Sequence, residues 1–177
     1  MVTSTTAVTS TTGGGVVTSS TTGGGTSPAL ELQYAVKEAR ASTNNVSFKL
    51  RIKNTGTESL ELSDLKIRYW FTVDGFTSPL QSECDFSEVT CAGVTRTFSD
   101  TSGMYADHYL ELGFTAAAGS IDPGDTGAHT ELRIFTAAYN NLMQANDYSF
   151  DAAMTDWTPS PRVTVYHDGM LAWGTEP

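Results

Sequence analysis

The sequence predicts an all-β protein, an antiparallel β-sandwich or jelly roll. Three observations predict it. Short segments from residue 28 onward alternate apolar and polar side chains, turn signals divide them, and no long segment keeps a 3.6-residue apolar period. Turns recurring about every 8–12 residues belong to sheets folded back on one another.

The elements follow in order. Leu30-Glu31-Leu32-Gln33-Tyr34 alternates, as does Val46-Ser47-Phe48-Lys49-Leu50-Arg51-Ile52, and Asn54-Thr55-Gly56 turns the chain. Leu60-Glu61-Leu62 and Leu65 to Phe71 read as the next strands, closed by Asp74-Gly75. Thr95 to Phe98, Tyr109 to Phe114 and Thr130 to Phe135 follow, with Asp122-Pro123-Gly124 as a turn between the last two. Val163 to Tyr166 and Leu171 to Trp173 form a hairpin through His167-Asp168-Gly169, a turn in which Gly supplies positive φ. Only residues 148–156 suggest a short helical turn.

Residues 1–27 are different material. Ser-Thr-Thr-Gly-Gly-Gly occurs at 10–15 and again at 20–25, and such a tract has too little apolar surface to offset its chain entropy. It reads as a flexible linker with an r.m.s. span of about 30 Å, of the Thr/Ser-rich kind that joins modules of secreted proteins. The expected division is therefore a linker at 1–27 and one module at 28–177, a piece of a larger extracellular protein. The linker shows no charged n-region or apolar h-region of a signal peptide.

With 39% hydrophobic residues the module can bury a real core. The formal charge of -10 disfavours nucleic acid and anionic lipid, both of which require Lys/Arg neutralisation, and no apolar run nears the length of a membrane span. A neutral ligand or a cation suits the chain better, and a monomer is expected.

Cys84 and Cys91 are the only cysteines. Two cysteines alone are too few for a structural zinc site, and they read either as reduced thiols or, given the secreted-type linker, as a disulfide closing a small loop. His108, His129 and His167 lack metal-ligand spacing, and no nucleophile elbow is present. Residues 133–150 carry most of the functional information. Arg133 and Tyr139 suit a surface that grips sugars, and Asn146-Asp147-Tyr148-Ser149 suits a turn that holds a hard cation.

Several strings keep the order and approximate spacing of a known family: Asn54-Thr55-Gly56, Leu65 to Tyr69, Thr72 to Gly75, Cys84-Asp85, Tyr109 to Glu111, Asn146 to Phe150 and Trp173 to Pro177. Over residues 29–177 the chain resembles the family 3 carbohydrate-binding modules, the cellulose-binding type of scaffoldins and cellulases. The resemblance implies a sandwich of about nine strands with jelly-roll topology, a structural calcium, and cellulose or a related β-glucan as ligand. It implies calcium ligands at Thr72, Asp74 and Asp147, with carbonyls of Met143 and Asn146. It also implies a planar strip in which Asp85 and Arg133 match the family's acid and arginine. Phe86 stands where the family has histidine and Tyr139 where it has tryptophan.

The strip departs from the family in one place. Between Phe86 and Thr95 the chain is short and has no aromatic residue, so the strip's tyrosine is missing. A Cys84–Cys91 bridge is expected to hold the shortened loop. Because one ring on a sugar face removes about 50 Å² of apolar area, worth about 1 kcal/mol, several rings must act together. Gln81, Asn140, Gln144 and Tyr148 are candidates to hydrogen-bond neighbouring glycan chains. A second groove, known in related modules, falls on Arg68, Trp70, Tyr109 and Glu111.

The expected function is non-catalytic binding of cellulose, targeting a tethered cellulase or scaffold to the plant cell wall outside the cell. The alternatives are a helper module that feeds an endoglucanase without gripping crystals, and a surface module that senses polysaccharide.

Overall fold

The computed structural model describes residues 28–177. The linker expected at 1–27 lies outside the described residues. Among the described residues twelve strands run in chain order: β1 Leu30–Val36, β2 Val46–Asn54, β3 Leu60–Glu61, β4 Leu65–Phe71, β5 Leu80–Ser87, β6 Val94–Gly103, β7 Ala106–Phe114, β8 Ser120–Ile121, β9 Thr126–Thr136, β10 Thr158–Pro159, β11 Thr164–His167 and β12 Met170–Trp173. Three of these, β3, β8 and β10, have two residues each, which leaves nine longer strands.

They form two five-stranded antiparallel sheets, ordered β10-β1-β2-β9-β5 and β12-β11-β4-β7-β6, with β3 and β8 paired alone. The fold is thus an all-β sandwich, and the alternation in the sequence explains which side chains fill it. Leu32, Tyr34, Phe48, Leu50, Leu132 and Ile134 point inward from the first sheet, and Ile67, Tyr69, Phe71, Leu110 and Leu112 from the second; all are at most 1% exposed. Phe48 and Tyr69 stack across the two sheets with ring centroids 4.0 Å apart. Truncating such a ring to alanine costs about 3–5 kcal/mol, so this contact belongs to the centre of the core.

Two details differ from the sequence reading. Strand β5 was not expected, because the inward residues of Leu-Gln-Ser-Glu-Cys-Asp-Phe-Ser, Leu80, Ser82 and Cys84, alternate with polar ones but are only weakly apolar as a set. It is an edge strand, and its pairing with β9 supplies the structure its own pattern does not. The helical turn expected at 148–156 is absent; a short 3-10 turn lies instead at Gln144–Asn146. The outward face of the first sheet is left to polar and aromatic side chains.

Candidate functional site

Strand β9 organises that outward face. Its inward residues are Ala128, Thr130, Leu132 and Ile134, so period-two geometry directs His129, Glu131, Arg133 and Phe135 outward. Across from it on β5, Glu83 is in register with Arg133 and Gln81 with Phe135. The register then slips between Cys84 and Phe86. This bulge breaks the alternation, and the consecutive residues Asp85 and Phe86 are both exposed. Cys84 and Cys91 form a disulfide that closes the loop containing them.

Arg133 is held by acids on its neighbouring strand. Its Nε donates to Asp85 at 2.8 and 3.1 Å, and its Nη2 donates to Glu83. The hydrogen bond to Asp85 raises the Arg133 pKa further above its ordinary value. Lys37 joins the same group, donating to Glu131 at 2.6 Å and lying 3.6 Å from Asp85. That bond holds the Glu131 carboxyl below its ordinary pKa. Exposed ion pairs contribute little stability, so this network's value lies in fixing the Arg133 plane rather than in holding the fold.

Tyr139 lies beyond the end of β9 with φ at +53°, in the left-handed region. The turn is pinned from several sides: Tyr139 N–H donates to Thr136 O, Ala138 N–H to Ser78 Oγ, and Asn140 N–H to Thr136 Oγ1. Its ring rests on Phe135, centroids 5.3 Å apart and planes 9° apart. Tyr139 is 57% exposed and Phe135 only 4%. The exposed ring is therefore a supported flat surface. Phe86, 45% exposed, meets the His129 ring at 5.0 Å, and His129 meets Trp157 edge-on at 4.9 Å.

The structure brings Asp85, Phe86, Arg133 and Gln81 onto one face, with Tyr139 and Asn140 at its end. Two other candidates do not join them. Gln144 is fully buried, and its amide donates to the carbonyls of Glu38 and Arg40. It closes a loop and has no surface to offer a sugar. Tyr148 belongs to the side of the β6–β7 hairpin, where its N–H donates to Tyr105 O and its hydroxyl to Thr175 O.

Sequence reading missed Phe135, Lys37, His129 and Trp157. Phe135 had a signal, since it is two residues from Arg133 on an alternating strand. Trp157 had none, because only the tertiary fold carries it next to β2 and β9.

The residues expected for the second groove lie together on the outward side of the second sheet. Arg68 and Glu111 do face outward and pair at 2.9 Å, with the Arg68 guanidinium over the Tyr109 and Tyr166 rings. Trp70 shares the face but is only 3% exposed, its indole N–H bonded to Thr164 Oγ1. Ring packing against Tyr109 at 4.8 Å covers most of it, so it forms the floor of the groove and not an exposed platform. Glu176 and Pro177 line the same groove.

At one edge of the sandwich, oxygens from two distant loops converge. Thr72 Oγ1 lies 3.0 Å from Asn146 Oδ1, 3.0 Å from Asp147 Oδ1 and 3.3 Å from Asp74 Oδ1. Met143 N–H donates to Asp74 Oδ2 at 2.6 Å. Asp147 is 4% exposed, and its Oδ2 has no hydrogen-bond partner. Burial pushes its carboxyl up to about 8, against the lowering effect of its bonds from Thr72. A buried carboxylate oxygen left unpartnered is costly, and a hard cation is the partner that such an oxygen set accepts. The residues fit calcium: two carboxylates, a hydroxyl and an amide oxygen converge there.

A flat polar and aromatic face on one sheet of a sandwich suits an extended glycan surface, whose faces are apolar and whose edges carry hydroxyls. The comparisons with known proteins agree. The family profile described as cellulose binding domain matches residues 31–174. An uncharacterized protein in the celA 5' region of Paenibacillus lautus is 37% identical over 146 residues, covering 82% of this chain and all of that one. The Beta-mannanase/endoglucanase A of Caldicellulosiruptor saccharolyticus is 37% identical over 156 residues, covering 86% of this chain and 12% of that enzyme. Among solved structures, a biomass sensing module from Rsgi-like proteins of Clostridium thermocellum superposes with a TM-score of 0.80 at 32% identity, covering 85% of this chain and 99% of that one. The chain belongs to the family 3 carbohydrate-binding modules, non-catalytic modules of the cellulose-binding type.

Proposed function

We propose that this module binds cellulose through the outward face of its first sheet and so holds a tethered partner domain at an insoluble surface. The observation that carries this reading is the supported platform of Tyr139 on Phe135, a residue that shares the outward side of β9 with the Arg133 group held by Asp85 and Glu83. A flat glycan surface presents apolar C–H faces edged by hydroxyls. Tyr139 and Phe86 meet the faces, and the Arg133 group, Gln81 and Asn140 meet the hydroxyls. Tethering works by effective concentration, not by chemistry. Residues 28–177 are the binding unit and 1–27 the tether, in a protein that acts outside the cell.

A calcium ion held by Thr72, Asp74, Asn146 and Asp147, with the Met143 carbonyl, is the structural cofactor in this reading. It would fasten the loop after β4 to the loop after β9, which ends the platform.

A second reading is favoured by the likeness to a biomass sensing module: the same face reads polysaccharide for a signalling protein rather than for an enzyme. Both readings require cellulose binding. The test is depletion of the protein from solution by crystalline cellulose, amorphous cellulose and chitin. Retention on crystalline cellulose is expected, and a protein left wholly in solution by all three overturns the proposal.

A further inference from the structure

The chain is strongly acidic, yet the sheet that carries the flat face is locally cationic. Lys49, Arg51 and Lys53 project outward in succession from β2, and Glu31 is in register only with Lys53. Lys49 is in register with Glu131, but that carboxylate is already bound by Lys37 at 2.6 Å. Arg51 Nε donates to Gln33 Oε1, a neutral amide, at 2.6 Å. Among the described residues neither Lys49 nor Arg51 has an acid within ion-pairing distance. In a chain of net charge -10, two adjacent cations without acids are conspicuous.

They are also held in place. The Trp157 ring has Lys49 Nζ 5.1 Å and Arg51 Cζ 4.4 Å from its centroid, so one indole fixes both side chains. Both are partly buried, which limits the rotamer freedom lost on binding and weakens solvent screening. Trp157 touches His129, and His129 touches Phe86 of the flat face, so the cations lie beside that face and not apart from it.

We infer that Lys49 and Arg51, ordered by Trp157, form a second subsite for the carboxylate of a uronic-acid-bearing polysaccharide. An equatorial carboxylate stands at the edge of a sugar ring. A chain lying along the Phe86 side of the face would bring that edge to the two cations, where charge-assisted N–H···O bonds form. That a carboxylate binds here rests on the unpaired charges alone. That it is carried by a saccharide rests on the proposed function of the adjoining face.

The test is calorimetric titration of the whole chain with a short oligogalacturonate, and with the same oligomer methyl-esterified. Cellulose depletion is measured in parallel. The acid form is expected to bind and the ester not, with binding weakening as NaCl rises from about 0.05 to about 0.5 M. The double variant K49Q/R51Q, which alters no core residue, should lose about tenfold or more in affinity for the acid. Its cellulose depletion should match that of the unmodified chain. W157F should keep most of the binding, because it keeps a ring beneath the cations. Equal binding of acid and ester, unchanged binding by K49Q/R51Q, or no binding by the unmodified chain overturns the subsite. Inorganic phosphate competing as well as the oligomer does so too, since it reduces the site to a general anion contact. Loss of cellulose depletion in the unmodified chain counts only against the function proposed for the flat face.

Discussion

Tyr139 lies parallel to Phe135 and offset from it, with ring planes 9° apart and centroids 5.3 Å apart. The lower ring is nearly buried and the upper one exposed. An exposed aromatic side chain normally samples several rotamers, and ordering it on a ligand costs free energy. Here the backbone turn at positive φ and the ring beneath already set the orientation.

The first prediction tests this pair from both sides. Tyr139→Ala removes the platform and should weaken retention on crystalline cellulose by about fivefold or more, from roughly 1 kcal/mol of lost stacking. Phe135→Leu leaves Tyr139 in place but takes away its flat support. It should also lower retention, by less, at a small cost in melting temperature. Depletion isotherms for both variants check this, and equal retention by both would remove Tyr139 from the face.

The second concerns the Arg133 plane. Arg133→Lys keeps the charge but loses the planar fork that reaches Asp85 and Glu83 together. Retention on cellulose should drop several-fold. Stability should change by less than about 1 kcal/mol, because the pairs are solvent-exposed. Thermal melts and depletion isotherms on the same protein separate the two effects.

The third concerns the cation turn. A chelator should lower the melting temperature by about 5–10 °C if calcium is bound about 100-fold above its Kd, and added calcium should restore it. Asp147→Asn should remove most of that sensitivity. In the chelated protein the sign of the pH dependence is set by Asp147. Its folded pKa of about 8 exceeds the unfolded 3.8, so the folded state binds more protons between them. Stability is then fully present below about pH 4 and lost as pH rises to about 8. Denaturant melts across that window, with and without calcium, check both statements; a flat profile in chelator counts against them.

The sequence made the inner layer of the sandwich legible because burial on one face enforces a period of two, as in β1, β2, β4 and β9. It did not make β5 legible, because this edge strand is only half-buried and its inner face, Leu80, Ser82 and Cys84, carries a serine between its two apolar residues. The site was harder still. Alternation assigned Trp70 to the outward side of its sheet, but says nothing of Tyr109 packing against it. Gln144 is a candidate glycan hydrogen-bonder in the sequence, whereas in the structure it is buried and its amide is taken by backbone carbonyls of a distant loop. Trp157 was silent for the opposite reason: its partners Lys49, Arg51 and His129 come from two other strands, and no local pattern links them.

The last prediction concerns the bridge between Cys84 and Cys91. The cysteines are seven residues apart, so the bridge restricts only a short loop of the unfolded chain. A loop of that size gains about 2–3 kcal/mol by chain entropy, which a module with this core can lose and still fold. The larger consequence is local. Asp85 and Phe86 lie inside the closed loop, at the bulge that turns both outward. Without the bridge, β5 keeps its pairing with β9 up to Cys84, but the residues after it are freed to change register. The double variant Cys84→Ser, Cys91→Ser should therefore stay folded, with a melting temperature lower by about 5–10 °C. Its retention on cellulose should fall by more than that stability loss explains, measured well below the transition. Amide exchange should rise at Asp85, Phe86 and Ser87 while the centre of β9 stays protected. Unchanged cellulose retention in this variant would show that the bridge serves stability alone.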